Sequence, residues 1–464
     1  MSDLSQTKFG KAVGLKADTS IKTEIIAGIT TFFAMCYIII VNPGFLSNGI
    51  SELYNAAYIG TIIAAVLGTL LYAFLAKKPF AQASGMGLNA FFMVSFMFAV
   101  GDPYTNYGAG LVIILISGLI FLLLSVTGLR SYIAKSLPDC LKKAIPAGIG
   151  LFIAFIGLQG AGISVDGATL VCLPDLRDWA VAGPVLAALL GLIAIVIFNK
   201  VGASWMKKTS IVLGILTSTI LYYLFTWTLP SFDLGQIGQS FVDFGKYGFS
   251  VFKGESWATA FDGVTFGSIF AVIMLVITFC LVDMFDTIGT LYGTAAQANM
   301  LDENGDPEDI EKCMLCDSIA TAAGAMVGVS TVTTFVESAS GVAEGGRTGL
   351  TALTTAALFA ICLVLSPLAS IIPGVATAPA LIYVGLLMLR NFKAVDLDDL
   401  SSALPAFVAL IIMPLTYSIS NGIALGAFTY VVIQLLTGKY TKKDIVVTVI
   451  AVLFILRYVL VPAM

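Results

Sequence analysis

Two stretches, FAQASGMGLNAFF at residues 80–92 and FVESASGVAEGG at residues 335–346, decide the fold. Each is apolar overall, yet each carries a Ser-Gly pair and a run of small residues where a continuous spanning helix would hold large aliphatic side chains. Ser84, Gly85 and Gly87 in one, and Ser340, Gly341, Gly345 and Gly346 in the other, favour broken helices preceded by extended chain. Such backbone is tolerated at membrane depth where protein encloses it or where it lines a polar cavity. Two breaks at corresponding places predict half-helices that face each other near the midplane, a recurrent way to build a transporter's binding site. Close packing between helices is the competing reading of the glycines alone.

The rest of the chain supplies the membrane. Its 464 residues are 58% hydrophobic and 11% charged, against about 25% charged in a soluble domain. Apolar windows recur near 24–42, 55–76, 84–100, 107–128, 143–160, 181–199, 208–226, 264–296, 313–329, 335–345, 348–372, 376–391, 403–419 and 421–437. A last one, 444–462, either spans or lies against the bundle. The polar interruption at 227–262 separates seven windows from seven, and an odd number per half forces opposite orientations, as in an inverted-repeat transporter. AIPAGIGLFIAFIGL (144–158) and IPGVATAPALIYVGLLML (372–389) form a second echo between the halves.

Charge placement orients this map. With the polar, lysine-bearing tail 1–22 in the cytoplasm, only Arg177, Lys246 and Lys253 fall outside and Arg457 in the final segment, out of 24 basic residues. Arg130, Lys135 and the remainder fall inside, as the positive-inside rule expects. The tail has no apolar core or cleavage site, so it is not a secretory signal, and no basic block suggests nucleic acid. Cys313 and Cys316 form a lone CxxC without a second pair or any histidine, which reads as small residues at a helix start rather than a metal site. Proton chemistry must fall to carboxylates, because the chain has no histidine.

Those carboxylates lie in the wrong solvent for packing alone. In FCLVDMFDTIGT (279–290), Asp283 sits near the middle of an apolar stretch and Asp286 one turn later on the same face. Each costs roughly 2.5–3.5 kcal/mol at a bilayer centre on insertion scales. A helix end at the interface, with both acids solvated, is the competing reading. Glu337 falls at the start of the second break, whereas Glu344, beside Arg347, suits either edge pairing or a role with substrate. Asn89 can both donate and accept hydrogen bonds; Gln82 and Ser84 are weaker candidates of the same kind. With no basic residue in the set, an anion is disfavoured. A neutral ligand rich in N–H donors, taken up with a proton or cation, fits better.

At these residues the chain resembles the AzgA-like purine permeases of the nucleobase cation symporter-2 group, within the nucleobase/ascorbate transporters. The resemblance covers essentially the whole chain. It is carried by TEIIAGITTFFAMCYIIIVNP (23–43), QASGMGLNAFF (82–92), LVDMFDTIGTLYG (281–293) and TTFVESASGVAEGGRTGL (333–350). It implies an all-α polytopic membrane protein of about 14 helices in two inverted seven-helix repeats, with short strands in the third and tenth segments. Implied with it are a core domain (23–130 and 263–372), a gate domain (131–227 and 373–438), an extracellular loop (228–262) and a C-terminal apolar segment (439–464).

The resemblance further implies a base held between core and gate by Asn89, Asp283 and Glu337, with Ser84 and Ser338 nearby, and proton coupling through Asp286, Asp283 and Glu337. In the related uracil-transporting branch a Glu-x-x-x-His pattern aligns best with Asp286 and Thr290, so which aspartate holds the base stays open. The function expected is proton-coupled import of hypoxanthine, guanine or adenine across the cell membrane. It needs no cofactor, and sodium in place of the proton is left open. The expected partners are the purine and the lipid bilayer; a homodimer is compatible and nucleic acid is not expected. An anion exchanger of the same fold is one alternative. An intramembrane aspartyl protease, whose YD and GxGD contexts are missing here, is another.

Overall fold

The computed structural model describes residues 4–460 except 18, 128–136, 169, 231, 262–265, 299 and 303–306, so Arg130 and Lys135 lie outside the described residues. Among the described residues, eight helices are long and apolar enough to cross a membrane, and four shorter apolar ones accompany them.

The first span, Ile21–Ser47, is not the uninterrupted helix expected over 24–42. It divides into α1 (Ile21–Met35) and α2 (Ile38–Ser47). Pro43 lies inside α2 and has no N–H to give to the carbonyl one turn back. Just before it the ladder tightens, with N–H of Ile39 bonded to Cys36 O (3.2 Å) and N–H of Ile40 to Tyr37 O (3.1 Å). α3 (Ser51–Leu71) follows.

The third segment opens as a strand, β1 (Gln82–Ser84), and only then becomes helix α4 (Met86–Phe92). Next come α5 (Pro103–Val126), α6 (Asp139–Gly160), α7 (Trp179–Lys200) and α8 (Ser210–Thr226). In the second half, α9 (Phe266–Ala298) and α10 (Ile310–Met326) precede β2 (Val332–Thr334) and the short α11 (Ser338–Ala343). α12 (Gly349–Ile361), α13 (Gly374–Leu389), α14 (Leu400–Leu415) and α15 (Ile419–Leu436) complete the set. The final apolar segment forms α16 (Ile445–Leu460), which packs on α15 and α9.

β1 and β2 pair antiparallel, Gln82 with Thr334, Ala83 with Thr333 and Ser84 with Val332. The strands expected in the third and tenth segments are therefore present and bonded to each other. The pairing satisfies the backbone that each broken helix exposes.

The helices pack in two groups. α1, α2, α3, α5, α9, α10, α11 and α12 contact mainly one another, and α6, α7, α8, α13, α14 and α15 form the second set. The groups meet where α6 touches α4 and α9, where α8 touches α1 and where α13 touches α2. Within the first set, Glu24 of α1 accepts hydrogen bonds from the N–H groups of Arg347 (3.0 Å) and Thr348 (3.2 Å), so a carboxylate from another helix caps the start of α12. Gly341 of α11 lies so close to α1 that an added Cβ would sit 2.5 Å from the Ala27 carbonyl oxygen. Residues 227–262, expected as a polar loop, instead carry helices at Gly235–Asp243 and Gly254–Ala260.

Candidate functional site

A cavity of about 500 Å³ opens between the two groups, within the ~300–1,000 Å³ common for small-molecule sites. Its inner part is lined by Asp286 and Thr290 of α9, Gly85–Gly87 at the β1–α4 junction, Thr333, Glu337 and Tyr37. Pro146 and Tyr383 lie on the wall opposite. A different depression, lined by Leu67, Leu71, Phe74 and Ile319, presents apolar side chains only.

Two carboxylates therefore reach the cavity, and neither has an ion-pair partner among the described residues. Glu337 is 8% exposed and accepts a 2.6 Å hydrogen bond at Oε1 from the Tyr37 hydroxyl. Asp286 is half-buried and, among the described residues, receives only a long bond, 3.4 Å, from Thr333 Oγ1. Donors stand beside them. The N–H groups of Met86, Gly87 and Leu88 belong to the first turn of α4, where the helix itself offers no acceptor and no side chain caps them. Two facing half-helices predict free N–H donors at 338–342 as well, but the first of these groups are already bonded within the chain. N–H of Ser338 donates to Phe335 O, N–H of Ala339 to Val336 O and N–H of Ser340 to Glu337 O.

Asp283 and Asp286 were expected on one face, but they point differently. At about 100° per residue, three positions leave them roughly 60° apart around the helix, enough to separate cavity from interior. Asp283 is 1% exposed and accepts 2.8 Å from Thr321 Oγ1 of α10, while that same hydroxyl accepts the Val332 N–H at 3.1 Å. It thus braces β2 and is absent from the cavity lining.

Three other residues singled out in the sequence also lie behind the lining. Ser84 donates from Oγ to Asn89 Oδ1 at 2.9 Å, the Asn89 amide nitrogen has no described partner, and Ser338 Oγ accepts from Ala81 N–H at 3.0 Å. Glu344 pairs with Lys208 at 2.6 Å, not with Arg347, whose Nη1 donates to the carbonyls of Val342 and Gly346. The cavity is also less free of cations than expected, because Lys207, Lys208 and Arg390 line it too, just before α8 and just after α13, though none of them forms an ion pair with Asp286 or Glu337 among the described residues.

Sequence reasoning missed two residues. Tyr37 sits at the tightened turn of the first span, and Pro43 was its available signal. Asp317 of α10 is fully buried behind the strands, accepting from Gln82 Nε2 (2.5 Å) and Thr334 Oγ1 (3.4 Å), and also from Thr287 Oγ1. One acid in the apolar run CMLCDSIATAAGAM was a signal of the same kind as Asp283, but the neighbouring cysteine pair drew the attention. Among the described residues no group of three or more Cys, Asp or Glu is placed to hold a metal ion.

Paired broken segments, a cavity between two helix groups and unpaired carboxylates within it define a multi-pass membrane transporter rather than an enzyme. The transmembrane domain of BicA, a cyanobacterial bicarbonate transporter, has the same fold, with a TM-score of 0.60 at 14% identity over 87% of this chain and 97% of that one. The profile of the Permease family (Xan_ur_permease) matches residues 22–425, and the chain belongs to that family. Guanine/hypoxanthine permease PbuO of Bacillus subtilis (strain 168) is 40% identical over 442 residues, covering 95% of this chain and 97% of the relative. Adenine permease AdeP of Escherichia coli (strain K12) is 36% identical over 447 residues, covering 96% and 94%.

Proposed function

We propose that the protein imports purine nucleobases (hypoxanthine, guanine or adenine) by proton symport, with Asp286 and Glu337 as the groups that hold the base. The observation that carries this reading is the pair of cavity carboxylates without a cation beside them. Carboxylates accept hydrogen bonds and, when ionised, donate none, so they suit a flat ligand bearing several N–H groups. The first-turn N–H groups of α4 supply donors for its carbonyl or ring nitrogens. The names of the relatives, guanine/hypoxanthine and adenine permeases, support the same substrate class.

In this reading Asp283, Ser84, Asn89 and Ser338 hold the strands and the half-helix, and do not touch the base. Tyr37 occupies one oxygen of Glu337 and so fixes the orientation of the other. The first helix group acts as the core and the second as the gate. On the orientation expected from the basic residues, the end lined by Lys207, Lys208 and Arg390 opens to the cytoplasm, so the state described faces inward. A proton shared between the two acids gives the two states different affinities, which transport requires. An anion is disfavoured, because Lys208 is already paired with Glu344 and the inner cavity is acidic.

Uptake of radiolabelled hypoxanthine into cells expressing the protein, with adenine, guanine, xanthine and uracil as competitors at two external pH values, tests the proposal. Competition by purines but not uracil, with faster uptake at the lower pH, is expected. Uptake indifferent to purines contradicts the substrate class, and uptake indifferent to pH contradicts the coupling.

A further inference from the structure

The segment between α8 and α9 has two dissimilar faces. Its inner face is built into the protein. Asp243 is buried and accepts from Asn55 Nδ2 at 2.7 Å, and Gln236 Nε2 donates to Asn55 Oδ1 at 2.6 Å, joining the helix Gly235–Asp243 to the start of α3. Tyr247 stacks on Tyr104 of α5 with ring centroids 4.9 Å apart. Gly108 leaves no room for a Cβ beside Ser256, and at Gly328, just past α10, a Cβ would lie 2.8 Å from Gly248 Cα. The outer face carries Phe241, Phe249, Phe252, Trp257 and Phe261, all exposed, with Phe252 at 63%. Trp257 and Phe261 stack 6.2 Å apart, and the Trp257 ring N–H is already bonded to Val251 O.

We infer that this aromatic face is a membrane-interface platform, seated in the boundary between headgroups and acyl chains of the leaflet at the Trp227 end of the bundle. Depth is the first argument. Ser256 rests on Gly108, five residues inside the start of α5, which at 1.5 Å per residue is about 7–8 Å below that helix end. Interfacial helices bury their apolar face about 5–10 Å into that boundary. Continuity is the second. The segment leaves directly from α8, which carries exposed Ile220 and Leu224 and ends at the exposed Trp227. Charge is the third. Lys246 and Lys253 lie 4.8 and 5.3 Å from the Tyr247 ring centroid and are exposed, and long basic side chains of this kind can carry their charge to headgroup phosphates. An aromatic face of this size left in water would be an aggregation liability; in the interface it matches the aromatic belt. The platform is independent of what the cavity carries.

A protein retaining Trp257 alone, with Trp179, Trp205 and Trp227 replaced by Phe, tests this in phosphatidylcholine vesicles. Lipids brominated near the ester end of the acyl chain should quench the Trp257 emission strongly, and lipids brominated near the chain terminus much less, as interface depth requires. Aqueous iodide should quench it at most weakly. Phe252→Trp in a background with all four tryptophans replaced by Phe gives a second reporter if the first variant is poorly produced. Strong iodide quenching without an effect of brominated lipid overturns the inference, because the face then lies in water. Quenching by neither also overturns it, because protein then covers the face.

Discussion

Removing the Tyr37 hydroxyl should damage purine handling more than it damages the fold. Tyr37→Phe keeps the ring in its buried place and deletes one O–H···O bond of 2.6 Å to the Glu337 carboxylate. Hydrogen bonds to charged groups contribute about 1.5–3 kcal/mol, and 1.4 kcal/mol corresponds to tenfold, so Vmax/KM for purine uptake should fall about 10- to 150-fold. The loss should appear mainly as a raised KM, because the bond orients a group that contacts the base in the ground state. Initial rates of radiolabelled uptake, normalised to protein in the membrane, give the kinetic constants. Melting of the purified protein without substrate reports the fold. If Vmax/KM stays within threefold of the wild type, the tyrosine does not position Glu337 and the reasoning fails. If apo stability collapses together with uptake, the bond is structural and not part of the site.

The two aspartates of α9 should separate. Asp286→Asn should lose most uptake while melting near the wild-type temperature, whereas Asp283→Asn should lower the melting temperature, because Asp283 accepts from Thr321 and thereby braces β2. The reverse pattern in the same two assays would exchange their roles. Asp317→Ala leaves the Gln82 and Thr287 donors without their buried acceptor; at about 1–3 kcal/mol for each unsatisfied group, folded yield in detergent should drop sharply. Gly341→Ala forces a methyl against the Ala27 carbonyl, and at about 1–3 kcal/mol for overpacking it should lower thermal stability in a size-exclusion melting assay. An unchanged melting temperature would show that α11 can move away from α1.

Much of this was legible in the sequence because it rests on composition and on local chemistry. Ser84 and Gly85 announced the first break, where β1 gives way to α4, but Gly87, Ser340 and Gly341 lie within helices, and Gly87 and Gly341 serve close packing against Ile149 and α1; the second break falls ahead of them, after β2, which starts at Val332, before the window expected at 335. The acids were visible through their cost in hydrocarbon. Their division of labour was not, since a three-residue spacing fixes a helix face only to within about 60°, and it is the packing of α10 that encloses Asp283. Tyr37 stayed hidden because it meets Glu337 across 300 positions of sequence. Partners that distant follow from packing between elements, and the apolar pattern of each element carries no record of them. The pairing of Glu344 with Lys208 rather than with its neighbour Arg347 has the same origin.

The most direct test of the account is equilibrium binding of radiolabelled hypoxanthine to the purified protein, measured for the wild type and for Glu337→Gln. The wild type should bind saturably and be displaced by guanine or adenine. The variant keeps the size of the side chain but turns half of its accepting capacity into donors, and should bind at least about tenfold more weakly, since one charge-assisted bond of about 1.5–3 kcal/mol is lost. Equal affinity in the two proteins, with the wild type saturable, would contradict the claim that Glu337 holds the base.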